Sequence, residues 1–134
     1  RLRPSWVVLH DGEVKAENIE AVRNASPDTK IACRWYKEDS WFEEQIRTNP
    51  QYAADVVASN IIATGLADMA DAWITTNEIL QGWDDIVLLS DFYVEMQRIF
   101  PYPLFLASFS VKQPGDAGDP YGIKHIERFY PAMY

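Results

Sequence analysis

The sequence predicts an α/β fold of four successive βα units around a parallel sheet. Three observations carry this expectation. Short apolar runs begin near residues 6, 31, 72 and 104. A helical pattern follows each of them, and alternating strands and helices imply parallel strands joined by right-handed crossovers. The runs are also nearly continuous in apolar residues, as in strands of a sheet covered on both faces.

Trp6-Val7-Val8-Leu9-His10 reads as the first strand, closed by Asp11-Gly12. A helix from Ala16 to Asn24 carries Ile19 and Val22 at helical spacing and stops at Ser26-Pro27. Ile31-Ala32-Cys33-Arg34-Trp35 is the second strand, and the polar and aromatic stretch from Lys37 to Thr48 reads as a loop. Asn49-Pro50 marks a helix start, a capping side chain followed by proline at the first helical position. That helix presents Ala53, Val56, Val57, Ile61 and Thr64 on one face, with Ala58, Ala63 and Ala67 permitting close approach.

Ala72-Trp73-Ile74-Thr75-Thr76 is the third strand, ending at Asn77-Glu78. Asp84-Asp85 open the next helix, where acidic side chains suit the positive end of the helix dipole. Trp83 anchors its start, Leu88, Leu89, Phe92, Met96, Ile99 and Phe100 form its apolar stripe, and Pro101 ends it. Leu104 to Ser110 is the fourth strand, followed by a turn-rich loop from Gln113 to Asp119. Asp119-Pro120 starts a last helix carrying Ile123 and Ile126.

The unit length matches that of a (β/α)8 barrel, in which eight units take about 250 residues. Four units do not close such a barrel. The chain is therefore expected to be half of one, a single partial domain over residues 1–134, with an open doubly wound sheet as the competing arrangement. No glycine-rich phosphate loop follows any strand, which removes support for a nucleotide cofactor.

Composition narrows the function. The chain has 12 Lys and Arg against 20 Asp and Glu, a formal charge of −8, which argues against a nucleic-acid partner and an anionic membrane surface. No apolar run reaches the roughly 18 residues that a membrane span needs, so no insertion is expected. A single cysteine, Cys33, excludes an internal disulfide, and two histidines, His10 and His125, make a metal site unexpected. No cofactor is expected. Arg1-Leu2-Arg3-Pro4 has neither methionine nor the apolar core of a signal peptide, as in a chain cut from something longer or processed.

In parallel α/β folds the chemistry sits at the carboxyl ends of the strands. Those ends are His10-Asp11, Arg34-Trp35-Tyr36, Asn77-Glu78 and Ser108-Phe109-Ser110, whereas the amino ends offer little beyond Lys30 and Asp71. Glu78 is the sharpest candidate, because a carboxylate directly after an apolar strand and beside an amide can protonate a leaving group. The segment Asp71-Ala72-Trp73-Ile74-Thr75-Thr76-Asn77-Glu78 resembles the fourth strand of retaining glycoside hydrolases with (β/α)8 barrels, which end that strand in Asn-Glu. Pro4 to Asp11 is similar to an early strand of that barrel, and Lys30 to Trp35, with Arg34, to the next. Phe105 to Ser110, followed by a Pro-Gly turn, resembles the fifth. On this resemblance the chain spans strands two to five.

The resemblance implies that Glu78 is the general acid/base, that Asn77 contacts a sugar 2-hydroxyl, and that Arg34 clamps a carboxylate or orients the nucleophile. The alternative for Glu78 is a capping or solvated carboxylate, and for Arg34 a buried ion pair with an acid such as Glu78. Trp35 and Tyr36 serve as wall, core or sugar contacts. Trp41 and Phe42 stack on a sugar ring, cover the barrel mouth, or bury themselves on the adjacent helix. His10 is expected to be a satisfied strand-end histidine and Cys33 a buried inert thiol.

Retaining hydrolysis needs a second carboxylate about 5–5.5 Å from the first. In the family this nucleophile ends strand seven, beyond the strands matched here, and Asp11, Glu38 and Asp39 do not fit its motif. The expected function is thus that of a glycoside hydrolase-like domain, incomplete as it stands, with carbohydrate as partner. The competing expectation is a non-catalytic assembly or carbohydrate-binding component with the same fold. Either way the open sheet edges of a half barrel call for a homo-oligomer or a larger assembly.

Overall fold

The computed structural model describes residues 4–76 and 85–105. Four strands, β1 (Trp6–Leu9), β2 (Lys30–Arg34), β3 (Ala72–Ile74) and β4 (Leu104–Phe105), form one all-parallel sheet in the order β1-β2-β3-β4. The helices are α1 (Ala16–Ala25), α2 (Asp39–Thr48), α3 (Pro50–Ala63) and α4 (Asp85–Ile99). The expected α/β class and parallel pairing are present, and the sequential strand order is compatible with four consecutive units of a (β/α)8 barrel.

The loop expected from Lys37 to Thr48 is instead largely helix, with α2 running from Asp39 to Thr48. Its polar composition hides a narrow apolar stripe. Phe42 and Ile46 lie one helical turn apart and are both fully enclosed. Tertiary burial of that pair overrides the polar reading of the segment. The turn into α3 matches expectation: Asn49 caps the helix by accepting the Tyr52 N–H at 3.0 Å, with Pro50 in the first turn. Gly65, at φ 70°, takes the left-handed conformation that lets the chain leave α3.

Register assigns each strand residue to a face. Val7, Leu9, Ile31, Cys33, Trp73 and Leu104 share one face and pack into a single core with Ile19 of α1, Phe42 and Ile46 of α2, Val57 and Ile61 of α3, and Leu89, Phe92 and Met96 of α4. All four helices therefore lie on one side, as a sheet in sequential order with crossovers of one hand requires. Trp6, Val8, Ala32, Ala72, Ile74 and Phe105 line the other face. No described helix covers that face, where Trp6, Val8 and Phe105 are 44%, 41% and 40% exposed. Among the described residues, the coverage that the apolar strands suggested is seen on one face.

The sheet is curved toward its open face. The Trp6 and Phe105 rings meet with centroids 5.1 Å apart, although they belong to opposite edges of the sheet. On a flat sheet three strand spacings separate those edges by about 14 Å, and the register offset adds about 13 Å along the strands. Two aromatic side chains do not span that gap. The edges bend inward over the small residues Ala32 and Ala72, both buried at the centre.

The amino ends of the strands are tied by charge. Asp71 accepts the Ile31 N–H at 2.9 Å and the Lys30 Nζ at 3.2 Å, and Arg23 approaches it at 3.6 Å. Lys30 and Asp71, the two polar residues noted at that end, thus fasten β2 to β3. Burial raises the Asp71 pKa, but the Ile31 amide and the Lys30 and Arg23 charges outweigh it and hold the carboxyl below its ordinary value. On the helical layer Arg47 of α2 donates to Asp85 at 2.8 Å, joining α2 to the start of α4.

Candidate functional site

The carboxyl ends of the described strands bring together Arg34, Trp35 and Tyr36 at the end of β2 and Asp11 beyond β1. A cavity of about 200 Å³ lies there, lined by Asp11, Val14, Arg34, Trp35 and Tyr36, with Thr64 and Trp73 completing its wall. Trp35 is half-buried, its N–H donates to the Ile74 carbonyl at 3.0 Å, and its ring meets Phe42 edge-on at 6.0 Å. It is a wall of the site rather than a free platform. Tyr36 is 47% exposed, and the Arg34 guanidinium lies 5.4 Å from the centre of its ring.

Arg34 is half-buried, yet no carboxylate pairs with it among the described residues. The other described arginines all have carboxylate partners: Arg23 has Asp71, Arg47 has Asp85 and Glu43, and Arg98 has Glu95.

Trp41 lies on α2 rather than in a loop, half-buried, with its ring 5.3 Å from Phe42 and the Lys37 Nζ 5.4 Å from its own centre. Phe42 is enclosed in the core. Of the readings open for this pair, burial against the helical layer describes Phe42 fully and Trp41 in part. Trp41 does not line the Arg34 cavity. The His10 side chain is exposed and its backbone N–H donates to Glu13 at 3.2 Å. Cys33 faces the helical core, where burial pushes its thiol up to about 11, with Arg23 pulling weakly the other way.

Asn77 and Glu78 lie outside the described residues, as do Trp83, Ser108 to Ser110 and the segment from Gln113 onward. The strand leading toward them is described as far as Thr76. Thr75 and Thr76 are buried, and both hydroxyls reach the Tyr93 hydroxyl of α4, Thr75 at 3.4 Å and Thr76 at 2.7 Å. Burial raises the Tyr93 pKa, more strongly than the two threonine hydroxyls lower it.

Tyr93 went unremarked in the sequence, although a signal was there. It lies four residues after Leu89 and three before Met96, on the stripe that faces the sheet. Asp11 gains weight as a cavity wall, but its match to a nucleophile motif is no better than before. A larger cavity, of about 340 Å³, lies at the other end of the sheet among Gln97, Phe100, Tyr102 and Leu104. It holds no titratable side chain apart from the Tyr102 phenol and is remote from the strand carboxyl ends.

Among the described residues no group of three His, Cys, Asp or Glu side chains could hold a metal ion, and no helix is long and apolar enough to cross a membrane. No family model, curated protein or solved structure matches the chain.

Proposed function

We propose that this chain supplies four βα units of a glycoside hydrolase-like barrel. In this reading Glu78 is the acid/base, Asn77 holds a sugar hydroxyl, and Arg34, Trp35 and Tyr36 contact the ligand at the barrel mouth. Trp41, against Phe42 and with the Lys37 ammonium over its ring, lies outside that cavity and contributes to the rim. The observation that carries the reading is the placement of Arg34, Trp35 and Tyr36 around one cavity at the carboxyl ends of a curved, sequentially ordered parallel sheet. Sites on such sheets form at that end. The Asn77-Glu78 dipeptide follows Thr76 directly in the sequence.

Mechanism sets what the chain does alone. One carboxylate does not serve as both nucleophile and proton donor in retaining hydrolysis, which uses two about 5–5.5 Å apart. The 134-residue chain is therefore expected to show no turnover of activated aryl glycosides. The complete reading frame that contains it is expected to hydrolyse one of a panel of such glycosides, and Glu78→Gln to reduce that rate by about 10²-fold or more. Azide should rescue Glu78→Ala. Hydrolysis indifferent to Glu78, or none across the panel, defeats the reading.

A second reading has its own support. The apolar face carrying Trp6, Val8 and Phe105, which no described helix covers, suits a subunit whose role is assembly, with the fold kept and the chemistry absent. It predicts association without hydrolysis in the complete reading frame.

A further inference from the structure

We propose that the Arg34 cavity recognises a carboxylate-bearing pyranose, a hexuronate unit. The inference rests on the carbohydrate reading above and names its substrate class. The chain carries 20 acidic residues against 12 basic ones, so an arginine with no carboxylate partner among the described residues is not explained by a shortage of carboxylates. A half-buried guanidinium has lost part of its hydration and is best compensated by an anion held at its planar fork. Among the described residues nothing supplies that anion to Arg34, and its one described neighbour of note is the Tyr36 ring.

The geometry fits a ligand with two features. Tyr36 offers an exposed aromatic face, the surface on which the apolar side of a pyranose packs. The guanidinium lies over that ring, 5.4 Å from its centre, and meets a negative substituent on a sugar packed against the part of the ring it leaves open. Asp11 in the same cavity provides an acceptor for a hydroxyl of the ring. A neutral sugar would leave the arginine uncompensated. A simple anion would leave Tyr36 and Asp11 unused.

The test is titration of the isotope-labelled chain with methyl glucuronide, methyl glucoside and acetate, following the Arg34 Nε–H and Tyr36 signals by NMR. Methyl glucuronide is expected to give saturable shifts at least tenfold tighter than either control. Arg34→Gln should remove that preference, and Arg34→Lys should weaken it, since lysine keeps the charge but not the fork. Circular dichroism checks that the variants remain folded, and a neutral Tyr36→Leu variant should weaken the glucuronide while leaving acetate unchanged. Glucoside bound as tightly as glucuronide, with Arg34→Gln indifferent, overturns the inference and leaves the carbohydrate reading standing. Acetate bound as tightly as glucuronide overturns the inference, while the carbohydrate reading stands or falls on the Glu78 test. Glucuronide binding by Glu78→Gln but not by the unaltered chain also overturns the inference, because Arg34 is then committed to an internal carboxylate.

Discussion

The Trp6 indole of β1 and the Phe105 ring of β4 pack edge to face, 5.1 Å apart at 68°, across two intervening strands. This contact is possible only because the sheet curls. It gives the open face a concave, aromatic-rimmed floor, a shape compatible with part of a barrel interior. Side chains on that face have no second layer within the described residues.

Association follows from that face. At micromolar concentration the chain is expected to sediment above its monomer mass of 15.4 kDa. Val8→Glu places a charge on the exposed floor and should shift the equilibrium toward monomer without unfolding the helical layer. A soluble, cooperatively folded 15.4 kDa monomer in the unaltered chain would refute the half-barrel arrangement and favour a self-sufficient open sheet.

Asp71 sets an acid limit on stability. Its carboxyl titrates below the ordinary carboxylate range in the folded chain, so its contribution is complete above the unfolded value and fades as pH falls through the folded one. Asp71→Ala strands the Ile31 N–H and should cost about 1–3 kcal/mol near neutrality. Denaturant melts of the two proteins should converge as the pH is lowered through that range. A gap that persists unchanged in acid contradicts the assignment.

Tyr93 sets the alkaline limit. Its phenol pKa is raised by burial, so the stabilisation it brings is complete below the unfolded value and is lost as pH rises through the folded one. Ultraviolet titration should show one tyrosine ionising only together with unfolding. Tyr93→Phe removes that step and leaves the Thr75 and Thr76 hydroxyls short of a partner, at a cost of about 1–2 kcal/mol.

Cys33 should be silent toward thiol reagents. A buried thiol titrating at about 11 has little thiolate at pH 8. Reaction with an aromatic disulfide is expected to proceed at the rate of global unfolding and to become immediate in denaturant. Fast labelling of the native chain contradicts the core placement.

Much of this architecture was legible in the residues because it rests on local signals. Asn49-Pro50 announced α3 through a side chain and a ring that act within one turn, and Trp6-Val7-Val8-Leu9 declared a strand through its own apolarity. The segment at Trp41 and Phe42 misled because its helix depends on burial of two side chains, Phe42 and Ile46, against elements distant in sequence. The candidate site divides the same way. Arg34, Trp35 and Tyr36 were found from their place after an apolar run. Their arrangement around one cavity with Val14 and Thr64 was not, since it depends on how α1 and α3 pack. That Arg34, unlike the other described arginines, has no carboxylate partner among the described residues is a property of three-dimensional neighbours and has no trace in a linear pattern.

The ionic fastening of β2 to β3 through Asp71 has an evolutionary consequence. It holds the sheet from the end opposite the Arg34 cavity, with the Ile31–Cys33 core between them. The exposed Tyr36 at the cavity mouth takes no part in that fastening. A lineage carrying this chain is expected to exchange Tyr36 more freely than Asp71, since selection on folding acts on the residues that join the strands.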